Sequence, residues 1–139
     1  MRHRSGFTAI EFVMILTVLG VLAFITVPKF KLMVYQSREG QTKGNLGDIR
    51  GAVAIYYSDN FGRYPSDEGT PATRLSTALI PQYLKRLPLV ELTHLYSTKK
   101  NTVQDRLDDQ GDWIYSTING FVAVNSLKPD TKGEAISTW

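Results

Sequence analysis

The chain has 139 residues, of which 42% are hydrophobic and 21% charged, and its formal net charge is +3. This length favours one small domain, and the composition excludes a disordered tail and a polytopic transporter. The sequence contains no cysteine, which excludes disulfides and thiolate metal sites. The charge surplus is too small to indicate a nucleic-acid partner, so binding to nucleic acid is not expected.

Residues 7–28 form an apolar run in which Glu11 is the only charged residue. As a helix, the run would be about 33 Å long, enough to cross a bilayer core of about 30 Å. No A-x-A cleavage pattern follows it, which disfavours a secretory signal peptide. A plain membrane anchor does not explain Glu11, because a carboxylate costs about 3 kcal/mol at the bilayer centre. A carboxylate near the helix end, either snorkelling to water or protonated, is the alternative explanation.

The segment around Glu11 resembles the processing site of type IV prepilins and type II secretion pseudopilins, in the run Gly6-Phe7-Thr8-Ala9-Ile10-Glu11. The resemblance implies that a prepilin peptidase cuts between Gly6 and Phe7, that Phe7 is then N-methylated, and that Glu11 acts in assembly. In a filament core, the amine of a neighbouring Phe7 would neutralise Glu11, where an unpaired charge is costly. Pairing of Phe7 with Glu11 within one chain is the alternative.

Gly20 and Pro28 lie where this family carries its glycine and its helix-kinking proline, which implies that the stretch between them unwinds on assembly. Pro28 also lacks the N–H that a helix interior needs. The predicted organisation is a leader peptide at 1–6, a transmembrane or filament-core helix at 7–28, and a periplasmic or extracellular domain at 29–139. That domain includes the second half of the helix.

The sequence from Lys29 to about Asp59 is predicted to continue the same helix. An apolar stripe repeats at helical spacing, and four glycines lie on the opposite face; these sets are Leu46, Ile49, Val53 and Tyr56, and Gly40, Gly44, Gly47 and Gly51. One interpretation is a poor, flexible helix. The other is that the stripe covers the protein's own sheet while the glycine face allows close approach of neighbouring subunits. Glu39 and Lys43, at i and i+4, are in the order that favours pairing.

The remaining sequence predicts short elements. Turn signals in residues 60–65 end the helix, and this stretch with residues 48–50 resembles major pseudopilins. A short helix, broken near Pro81, is predicted over residues 74–84, and a strand over residues 89–97. Residues 113–118 and 121–124 predict a hairpin with a type I′ turn at Asn119-Gly120. The expected fold class is α+β: a pilin-like fold with a long N-terminal helix packed on a small antiparallel sheet.

Four acidic residues, Asp105, Asp108, Asp109 and Asp112, precede this hairpin. Major pseudopilins bind calcium in a C-terminal loop, but these residues precede the hairpin and do not have the D-x-D-x-D-G spacing. A solvated loop is predicted, calcium is left open, and no other cofactor or metal is expected. No catalytic arrangement is found, so an enzyme is not expected, and His94, between apolar residues, is predicted to be structural.

The predicted function is that of a structural subunit of a type IV pilus-like filament, either a major-pseudopilin-like subunit of type II secretion or a type IV pilin. The alternative is a membrane-tethered binding domain that does not polymerise, such as a receptor for DNA or a secretion substrate. The resemblance implies as partners copies of the chain, related minor subunits, the prepilin peptidase, an inner-membrane platform protein and an assembly ATPase. It implies a single-pass inner-membrane protein with a cytoplasmic N-terminus before assembly.

Overall fold

One long helix, α1 (Ala9–Asp59), accounts for 51 residues of the protein in this computed structural model. The structure describes residues 6–66 and 69–139. In these ranges the chain continues with a short helix, three strands and a final 3₁₀ turn: α2 (Pro71–Leu79), β1 (Val103–Gln104), β2 (Trp113–Tyr115), β3 (Val122–Val124) and Ile136–Thr138. The predicted continuation of the helix to Asp59 is confirmed.

The chain divides into two compact units, Met1–Val34 and Tyr35–Trp139, and α1 contributes residues to both. In the first unit α1 is helical throughout, including at Gly20 and Pro28. Large apolar side chains are exposed all along this part, with Phe24 83% exposed. An 18-residue window here has a mean hydropathy of 2.5 and is 0% buried. By length and composition this helix can cross a membrane.

The second unit has a hydrophobic core built on the predicted apolar stripe of α1. Leu46, Ile49 and Val53 are at most 3% exposed. They belong to one cluster with buried residues of α2 and of the strands, among them the fully buried Trp113 and Leu79. The apolar stripe therefore covers the core of this unit, as the second of the two interpretations expected, and stabilises it by removing apolar surface from water.

The sheet has the order β1-β2-β3. β2 and β3 are antiparallel, with Trp113 opposite Val124 and Tyr115 opposite Val122. β1 and β2 are parallel, with Val103 opposite Trp113. The α+β pilin-like fold class is confirmed, but the sheet is mixed rather than antiparallel throughout, because the loop at 105–112 brings the chain back in the same direction.

The strand predicted over residues 89–97 is wrong, because this stretch folds back on itself. The N–H groups of Leu95 and Tyr96 both donate to the carbonyl of Leu92, at 3.0 and 2.9 Å. Only Val90 pairs in a bridge, with Lys100. Local turns use the backbone donors that a strand would offer to a neighbour. The helix predicted over residues 74–84 forms earlier, at Pro71–Leu79, capped by the Thr70 side chain.

The two-residue turn predicted at Asn119-Gly120 is also wrong. The N–H of Ser116 donates to the carbonyl of Phe121 at 2.9 Å, so four residues lie between the closing pair. Only Gly120 in this loop has a positive φ, 68°. A Cβ added to Gly120 would lie 2.3 Å from the Tyr64 ring. The glycine is therefore required by its backbone conformation and by its contact with Tyr64.

The end of α1 carries a strained residue. The N–H of Gly62 donates to the carbonyl of Tyr57 at 2.9 Å, which is the closing bond of a Schellman motif. The left-handed position in this motif is held by Phe61, with φ 55°. Glycine usually takes this place, and another L residue costs about 1–2 kcal/mol there. Phe61 is 98% exposed, so the described residues give its ring no packing to offset that cost.

Candidate functional site

The first turn of α1 is closed by a hydrogen-bonded capping box. Oε2 of Glu11 accepts from the N–H and from the hydroxyl of Thr8, both at 2.7 Å, and the N–H of Glu11 donates to Oγ1 of Thr8 at 3.3 Å. This reciprocal arrangement satisfies backbone donors that a helix start leaves free. Glu11 thus has a structural role at the helix end, close to the alternative that the sequence left open.

The predicted processing site lies directly before this capped turn. Gly6 and Phe7 are exposed and not helical. The remaining residues of the predicted leader, 1–5, lie outside the described residues. The Gly6–Phe7 bond is therefore in accessible backbone, two residues before α1 begins, which is the kind of segment that a peptidase can bind.

The four glycines of α1 lie on its open face in the second unit. Gly40, Gly44, Gly47 and Gly51 are all exposed, and a Cβ added to any of them would meet nothing within 4 Å. Each glycine costs up to about 1 kcal/mol relative to alanine in a helix interior. Nothing in the described fold requires glycine at these positions, so their small size has no structural use within the single chain.

Glu39 and Lys43 do not pair with each other; both hold the C-terminal loop. Glu39, 5% exposed, accepts from the N–H and hydroxyl of Thr131 at 2.9 and 2.6 Å. Its Oε1 lies 3.2 Å from Nε2 of His94. Lys43 lies 3.6 Å from a carboxylate oxygen of Asp130. We call these five residues the C-terminal clamp. The pairing expected from the i, i+4 spacing is wrong, because nearby partners on the loop take both side chains.

The four aspartates considered for calcium are placed in and around one loop, where an amide links two of them. Nδ2 of Asn125 donates to Oδ1 of Asp108 at 2.5 Å and to Oδ1 of Asp112 at 2.7 Å. Oδ1 of Asp109 accepts from the hydroxyl of Tyr96 at 2.5 Å. Asp105 is exposed. Among residues 6–66 and 69–139, no group of three or more metal-ligating side chains is gathered. The carboxylates of Asp108, Asp109 and Asp112 accept hydrogen bonds, and calcium binding, which the sequence left open, stays open.

Hydrogen bonds lower the pKa of two aspartates, Asp109 in this loop and Asp130 in the C-terminal clamp. The Tyr96 hydroxyl and the N–H of Leu127 hold the pKa of Asp109 below its usual value. Burial of Asp130 works to raise its pKa, but the backbone N–H groups of Glu134 and Lys132 outweigh it, so the pKa of Asp130 is lowered. Both aspartates therefore remain charged in the folded unit at neutral pH.

A groove of about 460 Å³ lies beside the glycine face and includes the chain's last residue; we call it the α1 groove. Its lining residues are Lys43, Leu46, Gly47, Arg50, Glu134, Thr138 and Trp139. Nζ of Lys43 lies 4.3 Å above the centre of the Trp139 ring. Arg50 donates to the carbonyls of Val122 and Trp139, at 2.7 and 2.6 Å from Nη2. Two cations thus border a partly apolar groove.

Comparison with known proteins identifies relatives by sequence. The chain is 32% identical over 96 residues to the type II secretion system core protein G of Pseudomonas aeruginosa, a match covering 63% of this chain and 68% of that protein. The chain belongs to the pilin and pseudopilin family. It is 29% identical over 97 residues to the type II secretion system core protein G of Klebsiella pneumoniae, covering 63% and 69% of the two chains.

A fimbrial protein is also similar to this pilin-like chain. Fimbrial protein EcpC of Eikenella corrodens is 36% identical over 64 residues, which is 46% of this chain and 41% of that protein. No protein-family model and no solved structure matches the chain. The family resemblance expected from the sequence is confirmed, and the chain is a pilin-like filament subunit. Membership of a family of structural proteins supports the prediction that it is not an enzyme.

Sequence reasoning missed several residues that organise this pilin-like subunit. Thr8 was accessible to it, because Thr8-x-x-Glu11 matches the capping-box pattern at the start of an apolar helix. Thr131 and Asn125 could not be identified from the sequence, because their partners Glu39 and Asp108 lie 92 and 17 residues away in sequence. His94 lies against Glu39 and stacks on Tyr35 at 4.7 Å, a structural environment of the predicted kind.

Proposed function

We propose that this chain is a structural subunit of a type IV pilus-like filament, cut between Gly6 and Phe7 by a prepilin peptidase, N-methylated at Phe7 and polymerised through α1. One observation carries the proposal. The apolar first part of α1 is exposed along its length and begins with a carboxylate, so it needs partners that the described chain does not supply. A bilayer before assembly and neighbouring helices after it would supply them.

Glu11 is the proposed charge partner in assembly. The hydrogen bonds from Thr8 go to Oε2, which leaves the other carboxylate oxygen to accept from the Phe7 amine of a neighbouring subunit. A charge pair of this kind is strongly attractive where water is excluded, while a lone carboxylate there is costly. The pairing would therefore set the axial position of each subunit against the next.

The glycine face of α1 is the proposed packing surface in the filament. Small residues let helix backbones approach closely, and Gly40, Gly44, Gly47 and Gly51 are open to such an approach. In the first unit we propose that the stretch from Gly20 to Pro28 gives way during assembly, because glycine and proline are the weakest helix formers.

The proposed location follows from the same features. Before assembly the chain crosses the bacterial inner membrane once, with residues 1–6 on the cytoplasmic side and residues 29–139 in the periplasm. After assembly it lies in a periplasmic or extracellular filament with copies of itself and related minor subunits. A platform protein and an assembly ATPase supply the energy. Relatives named for type II secretion and for fimbriae are compatible with either kind of filament.

The test is to produce the chain with a prepilin peptidase and to measure its intact mass and N-terminal sequence. We expect a chain that begins at N-methylated Phe7, and an uncut chain when Gly6 is replaced so that the peptidase cannot act. The processed chain should form filaments, and Glu11→Ala should abolish them without changing the fold of the second unit. An intact Met1 start, with the peptidase active on another substrate, would contradict the proposal and favour a tethered domain that does not polymerise.

The glycine face has its own test. Gly44→Leu and Gly47→Leu should fold normally, because the structure leaves open space at both positions, but should reduce filament formation. Gln41→Leu is a matched control, since Gln41 is also exposed on α1 and lies about a quarter of a turn around the helix from the row of glycines. Normal assembly of both glycine variants would rule out this packing surface.

A further inference from the structure

Two residues of the second unit are unfavourable for folding, and the described residues give neither of them packing that would explain its presence. Phe61 holds a left-handed backbone position that suits glycine, yet its ring is 98% exposed. Gly47 weakens α1 although nothing within 4 Å requires its small size. Strain that the fold itself does not use is typical of positions that act in binding. An exposed phenylalanine and an exposed glycine also have complementary shapes: one projects from the surface and the other leaves a notch.

The α1 groove has the chemistry to hold an aromatic ring. Lys43, Gly47 and Arg50 are spaced i, i+4 and i+7, so the two cations lie on either side of the glycine on one helix face. A ring placed over Gly47 would present its negative face to an ammonium and a guanidinium, which is a favourable cation–π arrangement. Trp139, already under Lys43, forms an apolar wall of the same groove.

Phe61 does not reach the α1 groove of its own chain. Gly47 lies twelve residues before Asp59, where α1 ends, so about 18 Å of helix separates the groove from the loop that carries Phe61. A contact between different patches of identical chains is heterologous. When such a contact repeats without closing into a ring, it builds a helical filament.

We propose that Phe61 of one subunit inserts into the α1 groove of the next, with its ring over Gly47 and between Lys43 and Arg50. This inference rests on the proposed filament and names a contact between neighbouring copies in it. The strained phenylalanine and the unneeded glycine are then two sides of one interface. A buried aromatic anchor of this kind would dominate the contact. It assigns Gly47 to the ring, so that the proposed helix packing on the glycine face is made by Gly40 and Gly44.

The lack of cysteine in the chain allows a direct test by cross-linking. Phe61→Cys and Gly47→Cys are made as separate single variants, processed by the peptidase, added in equal minor amounts to an excess of the parent chain, assembled with it and oxidised. We expect a disulfide-linked dimer that contains one chain of each kind. Leu107→Cys mixed with Gly47→Cys is the control, because Leu107 is an exposed apolar residue outside the proposed contact, and it should give no such dimer.

A second experiment separates the contact from the fold. Phe61→Gly should raise the melting temperature of the full chain in detergent by about 4 °C, because it relieves backbone strain, yet lower filament yield about tenfold. Phe61→Tyr keeps the ring and should assemble nearly as well as the parent chain. A change in stability without any loss of filaments would overturn the contact.

The outcomes distinguish this contact from the proposed function. If the processed parent chain forms filaments but the Phe61→Cys and Gly47→Cys pair does not cross-link in them, the contact is wrong and the filament proposal stands. If the processed parent chain forms no filaments, the proposed function fails and this contact fails with it.

Discussion

The two halves of α1 use apolar residues in different ways. Between Ala9 and Val34 they occur all around the helix and are exposed, as at Leu16 and Phe24. Between Tyr35 and Asp59 they form one stripe, and Leu46 and Ile49 are at most 1% exposed. A stripe is satisfied by the core of the same chain, whereas a helix that is apolar all around needs an environment from outside it. The distribution of apolar residues, more than their number, therefore shows where the partner lies.

The two glutamates of α1 show the same difference: one has its partners inside the second unit, and the other has an oxygen left for a partner outside the chain. Glu39 is buried and bound on both oxygens by partners in the second unit. Glu11 is exposed and bound on one oxygen by its neighbour Thr8. A buried carboxylate with a complete set of donors stabilises the fold that supplies them. A carboxylate with a free oxygen at the end of an apolar helix is available to another chain.

Ile49→Ala is expected to give the largest loss of stability among the variants that compare the two halves of α1. Removing a fully buried side chain from the core should lower the free energy of unfolding of the second unit by about 4 kcal/mol. Urea unfolding followed by tryptophan fluorescence measures this directly, because both tryptophans, Trp113 and Trp139, lie in the second unit. Leu16→Ala, on the exposed half of α1, should leave the same transition unchanged. An equal loss of unfolding free energy in the two variants would contradict the conclusion that only the second half of α1 packs into the core.

Glu39→Ala is expected to give the next largest loss of stability. It leaves Thr131 and His94 without their acceptor in a buried place, which should cost about 3 kcal/mol in the same unfolding measurement. Glu39→Gln keeps the shape and one acceptor oxygen, and should recover part of the loss. Glu11→Ala should not shift this transition. If Glu39→Ala were as stable as the parent chain, the C-terminal clamp would have no role in stability.

Acid should weaken the second unit through its aspartates. Because the pKa values of Asp109 and Asp130 are lowered in the folded state, their contribution is complete above the unfolded value of about 3.9 and is lost as pH falls through the folded values. We expect the urea midpoint to hold between pH 7 and about pH 5 and then to fall. Asp109→Asn, compared at the same pH values, should show a shallower fall. A midpoint that rises on acidification would contradict the assignment.

Gly44→Ala should produce the smallest change in stability, and in the opposite direction. Alanine is the better helix former and meets no neighbour at this position, so the free energy of unfolding should rise by about 0.5–1 kcal/mol. Circular dichroism during thermal unfolding of the full chain in detergent would detect it. A loss of stability would mean that the glycine face has a contact within the chain that the structure does not contain.

The sequence was a good guide where a pattern is local and repeats. The helix to Asp59, its buried stripe and its open glycine face follow from periodicity, because side chains three and four apart must share a face. The motif from Gly6 to Glu11 led to the right family for the same reason, since its information lies in six consecutive residues. The capping role of Thr8 was equally local and was overlooked.

The errors arose where distant parts of the chain decide the outcome. The stretch from Leu89 to Ser97 is rich in strand-forming residues, but it folds into turns around Leu92, whose side chain is buried in the core. The mixed sheet depends on how the loop at 105–112 returns, which single-strand patterns do not encode. Glu39 and Lys43 are neighbours on a helix, yet the C-terminal loop supplies better partners for both.

Asn125 has a consequence for how the loop at 105–112 responds to its surroundings. Its amide nitrogen bridges the carboxylates of Asp108 and Asp112, and its oxygen accepts from the N–H groups of Asp108 and Asp109. An amide carries no charge and is covalently part of the chain, so it cannot be washed out, diluted or removed by a chelator. The chain itself therefore supplies a bridge between these two carboxylates that does not depend on the ionic composition of the medium.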